Sequence, residues 1–225
     1  MGEKGHQPEE MAAFFDARSG GYGDHMRRAL GDLFDRYYAA IAAQIPAGDA
    51  PLAILDLGAG TGEEIAAILP RAPRASFTCI DLSRGMLDRL AERFAPHLEQ
   101  IALIQGSYLD LPLPACRFDF AVASMTMHHF PYEVKRSLYA RIRAALRPGG
   151  LYVEGDWYVG PEEEAQFLQR RASLLSQVEP GAGALYHVDI PFTLETQRRL
   201  LEQAGFSSVS VPWQEGDKAV LRAQA

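Results

Sequence analysis

The segment Ile54-Leu-Asp-Leu-Gly-Ala-Gly-Thr-Gly-Glu-Glu64 runs an apolar stretch into three alternate glycines and then into two adjacent carboxylates. Gly58, Gly60 and Gly62 permit the positive backbone angles and close ligand approach that a side chain blocks. A dinucleotide fingerprint needs glycine at its first, third and sixth positions, and the sixth position here holds Glu63. The Gly-Lys-Ser/Thr ending of a phosphate loop is also missing. Electrostatics points the same way. A pyrophosphate would face Asp56, Glu63 and Glu64, and one like-charge pair at about 6 Å costs roughly 1 to 3 kcal/mol at effective dielectrics of 80 to 20. The two glutamates also suit a helix N-terminus through the macrodipole, at about 0.3 to 1 kcal/mol each. A cationic ligand without phosphates fits the loop.

Further along, Asp81 in Cys79-Ile-Asp-Leu-Ser83 closes a second apolar run about 20 residues beyond the loop, where a carboxylate can accept from both ribose hydroxyls. Ser83 is the better cap for the helix that follows, and Met86 one turn into it suits either an adenine face or the core. Candidate bases are His128 and His129 in Ser124-Met-Thr-Met-His-His-Phe130, Asp156, and Tyr22 and His25 near the amino terminus. A histidine titrating near 6.5 can take a proton at neutral pH. Packing and backbone hydrogen bonding account for the paired histidines equally well. Asp156 followed by Trp157 and Tyr158 suggests an acid flanked by aromatics that can hold a cationic or aromatic acceptor. Tyr22, His25, Tyr37, Tyr186 and His187 complete the expected acceptor-binding set.

These groups need a frame. The chain has 225 residues, 48% of them hydrophobic and 23% charged, which predicts one globular domain with a sizeable core. A net charge of -7 disfavours a nucleic-acid partner, because phosphate contacts need clustered Lys and Arg. Cys79 and Cys116 lie far apart with no Cys-x-x-Cys or His spacing around them, so no disulfide framework and no metal site is expected. Met1 to Glu10 is charged, and no run of about 18 apolar residues follows. The expectation is a cytoplasmic chain off the membrane, monomer or homodimer.

Periodicity predicts helices over 8–18 and 24–45, broken at Ser19 to Gly23, as a helical cover spanning 1–48. Strands at 52–57, 76–81, 101–105 and 118–124 alternate with helices at 62–70, 84–95 and one ending at Pro148-Gly-Gly150, in a cofactor-binding core over 49–157. A strand at 151–157 closes that core. An irregular cap over 158–192 holds a helix from Pro161 to about Val178 and a flexible Gly181 to Ala184 link. Thr193 caps a last helix, Gly205 stops it, and strands near 207–212 and 218–223 finish the 193–225 segment. Alternation of this kind predicts an α/β, Rossmann-like, doubly wound sheet that is mostly parallel, with ligands beyond the carboxyl ends of its strands.

ILDLGAGTG, the acid of CIDLS with Met86 after it, QGSYLDLPL, FDFAVASMTMHHF and LRPGGLYVEGD stand in the order and spacing of one family. Over residues 52–157 the chain resembles class I S-adenosylmethionine-dependent methyltransferases. The resemblance implies seven strands with the last antiparallel and S-adenosylmethionine as cofactor, a sulfonium and ammonium cation without phosphates. The implied cofactor contacts are Asp56, Gly58, Ala59, Gly60 and Gly62 at the glycine loop, Asp81, Leu82 and Met86, then Gly106, Ser107 and Tyr108 beside the adenine, and Ser124 and Met125 at a strand end. Relatives often carry an acid where this chain has Ser107, whose hydroxyl accepts the same bond more weakly. The expected activity is methyl transfer to a small molecule. The ending PFTLETQRRLLEQAGF also looks like carboxy-S-adenosylmethionine synthases of tRNA modification, and a binding protein without catalysis is a third reading.

Overall fold

A computed structural model describes residues 9–176 and 185–225. Seven strands form one sheet: β1 (Ala53–Leu57), β2 (Ser76–Asp81), β3 (Ile101–Gln105), β4 (Phe118–Ser124), β5 (Leu146–Trp157), β6 (Ser208–Glu215) and β7 (Lys218–Gln224). Their order is β3-β2-β1-β4-β5-β7-β6, with parallel pairing throughout β3 to β5 and β7 antiparallel to both its neighbours. Chain order reverses beside β1, so the β1 and β4 carboxyl ends flank the crevice where such sheets bind ligands. That sheet is the one the sequence predicts.

Helices α1 (Met11–Arg18), α2 (Tyr22–Leu30) and α3 (Phe34–Ala42) make the amino-terminal cover. The predicted 24–45 helix is broken at Gly31, whose φ of 52° interrupts the α-helix before a short 3-10 turn. Beyond the cover come α4 (Glu63–Ile68), α5 (Arg84–Arg93), α6 (Tyr132–Ala145), α7 (Pro161–Leu175) and α8 (Leu194–Gln203). Caps behave as their side chains dictate. Ser83 Oγ accepts from Met86 N at 3.1 Å and Thr193 Oγ1 from Thr196 N at 3.0 Å. Helix α6 stops at Ala145, short of Pro148-Gly-Gly150, because Ala144 and Ala145 give their carbonyls to Cys116 and Arg117 and Leu146 already pairs with Phe118. The Gly181 to Ala184 link and the last turn of the predicted 161–178 helix lie outside the described residues.

One sheet face packs Ile54, Cys79, Val122 and Val153 under Tyr37, Ile41, Ile65 and Ile68 of α3 and α4. The other packs Leu55, Ile80, Ala121 and Tyr152 under Leu138, Ile142 and Leu200 of α6 and α8. Strand β6 is an edge, and its pairing slips between Ser210 and Trp213, where Pro212 has no N–H to give. Among the described residues no helix is long and apolar enough to cross a membrane.

Candidate active site

The glycine loop after β1 has the backbone its sequence demands. Gly58, Gly60 and Gly62 have φ of 73°, 50° and 77°. A Cβ on Gly58 would sit 2.6 Å from Thr126 Oγ1, and one on Gly62 would sit 2.7 Å from the Phe94 ring. The loop therefore closes onto β4's end on one side and α5 on the other. Asp81 ties it to the next strand, accepting from Gly60 N and Ser83 N at 2.8 Å each. Burial raises the Asp81 pKa, and these backbone donors work against the rise.

A cavity of about 50 Å³ lies on this loop, lined by Gly58, Gly60, Asp81, Leu82, Met86, Tyr108, Ser124, Met125 and Thr126, with Met11, Phe15 and Tyr22 from the cover. Eight of the residues expected around the cofactor thus meet at one place. Asp56, Ala59, Gly62, Gly106 and Ser107 are not on its walls. Ser107 instead turns its own loop, its Oγ accepting from Leu109 N at 3.2 Å. Thr126, Met11 and Phe15 are additions the sequence reading lacked. Helix α1 is held down by Asp16, which accepts from Gly85 N at 3.0 Å and from the Ser83 hydroxyl.

The acids divide into two kinds. Glu63 takes a bidentate bond from Arg93, at 2.7 and 3.0 Å, so its charge is neutralised on α5 and does not face the cavity. Glu63 therefore does not present its charge to the ligand, as the sequence reading has it do. Asp56 and Glu64 are fully buried under the loop, and both Asp56 oxygens and Glu64 Oε1 have no hydrogen-bond donor. Burial pushes Asp56 up to about 7 and holds Glu64 well above the ordinary carboxylate range, reinforced by the charge of Asp56. Both shifts favour a pair that retains a proton up to about neutral pH.

The folded protein holds that proton at pH values where the unfolded chain, with Asp near 3.8, has lost it. The pair's contribution is complete below about pH 4 and falls away as pH rises through about 7. Glu64→Gln supplies an amide donor in place of the shared proton. Relative to the native chain, the variant's melting temperature should gain progressively between about pH 5 and pH 8, read by thermal unfolding across that range. A difference that stays constant with pH would rule out the shared proton.

Beside the small cavity, sharing Phe15, Tyr22 and Met125 as wall, is a larger one of about 570 Å³. Phe14, His25, His128, His129, Trp157, His187 and Asp189 line it. Met125, on the partition, has a φ of 50°, a left-handed conformation rare for a side chain of its size. His128 is oriented from behind: Asp156 Oδ1 lies 2.6 Å from its Nδ1, and Asp156 Oδ2 accepts from its backbone N at 3.0 Å. Burial works to lower the His128 pKa, but the Asp156 charge and hydrogen bond outweigh it and the net shift is upward. His129 goes the other way, lowered to about 4 by burial and the neighbouring His128. Burial would raise the Asp156 carboxyl, yet the charge of His128 and its hydrogen bond hold it below the usual range. Asp156 is 2% exposed near the end of β5 and lines neither cavity, so here it positions His128, which corrects its reading as a candidate base.

Three expected acceptor residues stand elsewhere. Tyr37 is fully buried, its hydroxyl on Ser124 Oγ at 3.2 Å. Tyr158 points its hydroxyl into the interior, onto Glu154 Oε1 at 3.0 Å. Tyr186 bridges Glu10 through the backbone and lines neither cavity. Tyr22, His25, Trp157 and His187 do meet around the larger cavity. Asp189, unremarked in the sequence, joins them through a local His-x-Asp spacing in Tyr186-His-Val-Asp189.

Residues 54–150 match the family model described as a methyltransferase domain. The chain is 31% identical over 175 residues to the carboxy-S-adenosyl-L-methionine synthase of Chromohalobacter salexigens, covering 72% of this chain and 64% of that one. Residues 54–150 are thus a domain of the class I S-adenosylmethionine-dependent methyltransferase superfamily. Another relative is the malonyl-[acyl-carrier protein] O-methyltransferase of Geobacter sulfurreducens, 30% identical over 164 residues, 73% of this chain and 59% of the relative. The chain thus spans about six tenths of the length of these curated relatives. In fold, the chain superposes on the DhpI complex with S-adenosylhomocysteine at a TM-score of 0.70, 17% identity, and coverage of 94% and 93%.

Proposed function

We propose that this chain binds S-adenosylmethionine on the Gly58 to Gly62 loop and transfers its methyl group to a small molecule held in the larger cavity. The observation that carries the reading is the shared wall: Phe15, Tyr22 and Met125 separate a glycine-loop cavity from a histidine-lined and aromatic one. Methyl transfer is an in-line displacement in which sulfur already activates the carbon, so placing donor and acceptor on either side of one partition is most of the work. Asp81 receives the ribose, and Met86 and Tyr108 border the adenine side. His128, held by Asp156, is the group best placed to take a proton from an acceptor. The large cavity's rings and imidazoles suit a planar or hydroxylated acceptor.

The cover must lift for the cofactor to enter, because the present 50 Å³ is far smaller than the ≈ 300–1,000 Å³ of ordinary ligand pockets. Calorimetry should therefore show binding of S-adenosylmethionine or S-adenosylhomocysteine and none of NAD. Binding of NAD alone would overturn the reading. Acceptor libraries of phenols, carboxylates, amines and thiols, screened for S-adenosylhomocysteine release, then give the substrate.

The similarity to a carboxy-S-adenosyl-L-methionine synthase supports a second reading, in which the chain modifies the cofactor itself. Mass spectrometry of the ligand carried through purification separates the two: a carboxylated cofactor favours the second.

A further inference from the structure

Asp189 and three histidines converge where the sequence predicts no metal. Asp189 Oδ1 lies 3.2 Å from His129 Nδ1, 3.6 Å from His187 Nε2 and 3.7 Å from His128 Nε2. The ligating atoms of His128, His129 and Asp189 are all within 4.8 Å of one another. Nitrogen and oxygen ligands held at about 2.0 to 2.2 Å from a tetrahedral divalent ion stand about 3.3 to 3.6 Å apart, so the two Asp189–histidine spacings are close to those of a coordination shell, and small side-chain rotations bring the three atoms around one ion. His129 Nδ1 and Asp189 Oδ1 face each other outside hydrogen-bond geometry and neither has another hydrogen-bond partner, although His129 is only 6% exposed. Both atoms thus keep lone-pair capacity turned into the cluster that no well-aligned protein donor uses.

The surroundings of His128 complete the pattern. Its Nδ1 is engaged by Asp156 at 2.6 Å, which leaves the Nε2 lone pair toward the cluster, the carboxylate–histidine arrangement that orients metal ligands. The two halves of the cluster are also fixed to each other: Ile190 N donates to His128 O at 2.7 Å, and His187 stacks on Phe14 with ring centres 3.6 Å apart.

We propose that His128 Nε2, His129 Nδ1 and the Asp189 carboxylate bind a divalent first-row transition ion such as zinc, with His187 beside them and the open coordination side facing the 570 Å³ cavity. Two imidazoles and a carboxylate leave positions for an oxygen ligand from that cavity. A role in catalysis rests on the methyltransferase reading above. With the ion bound, His128 Nε2 is a ligand and no longer the base; an acceptor hydroxyl on the ion would instead give its proton to solvent more readily, and its oxygen lone pair would form the O–CH3 bond as the C–S bond breaks and sulfur keeps that electron pair.

Cobalt(II) is the probe, added to the full chain without an affinity tag and followed by its visible absorption and by metal analysis after dialysis. One equivalent should bind, and acetohydroxamic acid should perturb the spectrum by entering the open side. His129→Ala and Asp189→Asn should each weaken binding at least 100-fold, and Asp156→Asn 10- to 100-fold through loss of orientation. His97→Ala, on the surface, should change nothing. Circular dichroism identifies any variant that fails to fold. Absence of stoichiometric binding, or equal binding by folded Asp189→Asn and native protein, would overturn the site. Because cobalt is read with no methyl donor present, that failure strikes the metal site alone, whereas failure to bind S-adenosylmethionine strikes the methyltransferase reading.

Discussion

Asp81→Ala is expected to weaken S-adenosylhomocysteine binding by about 1 to 3 kcal/mol, roughly 5- to 150-fold, through loss of charge-assisted hydrogen bonds to the ribose. The structure adds a second contribution. Asp81 already holds Gly60 N and Ser83 N at 2.8 Å each, so the substitution also frees two donors beside the glycine loop. Part of the loss should therefore appear as a less ordered loop, with a lower melting temperature even without cofactor. Asp81→Asn does not rescue both bonds, because the two oxygens serve two different N–H donors and an amide offers only one acceptor. Both variants should lie well below native affinity by calorimetry, with Asn no better than a few-fold above Ala. Affinity within twofold of native for Asp81→Ala would remove this residue from the site.

What the chain spells locally, it spells well. The β1 glycines, the acid closing β2, the Ser83 and Thr193 caps and the Gly205 stop all depend on backbone angles or hydrogen bonds within a few residues, and each stands where periodicity and residue type put it. The departures involve partners far apart in sequence. Glu63 reads as a ligand-facing acid until Arg93, 30 residues on, is seen to neutralise it. Tyr22 and Tyr37 are both aromatic residues of amphipathic cover helices. Gly31 breaks the cover between them, and only Tyr22 reaches the cavities while Tyr37 sinks onto Ser124. Asp189 could have been suspected from its spacing to His187, but its approach to His128 and His129, some 60 residues earlier, is a product of the fold.

Removing the Glu154 carboxylate is expected to be the most damaging single change away from the cavities. Glu154 is 1% exposed and shares a face of β5 with Tyr152 and Asp156. Its oxygens accept from Tyr139 at 2.7 Å, Tyr152 at 2.8 Å, Tyr158 at 3.0 Å and Gln197 Nε2 at 2.6 Å. Behind Gln197 stands Lys135, buried, its Nζ 3.2 Å from Gln197 Oε1 and 4.1 Å from the centre of the Phe192 ring. Burial raises the Glu154 carboxyl and lowers the Lys135 ammonium, while each one's charge opposes the other's shift. Glu154→Ala leaves several buried donors without their acceptor and the lysine without its counter-charge. Breaking such a pair from one side costs about 3 to 5 kcal/mol, which at roughly 2 to 4 °C per kcal/mol for a chain of this size lowers the melting temperature by about 6 to 20 °C. Lys135→Met alone should also destabilise, but adding it to Glu154→Leu should recover part of the loss, since an apolar pair leaves no unmatched charge. Thermal unfolding of Glu154→Leu, Lys135→Met and the double variant checks this. Additive losses would mean that the two charges do not act as a pair, and a Glu154→Ala loss under about 1 kcal/mol would mean that the tyrosine cluster stands without its carboxylate.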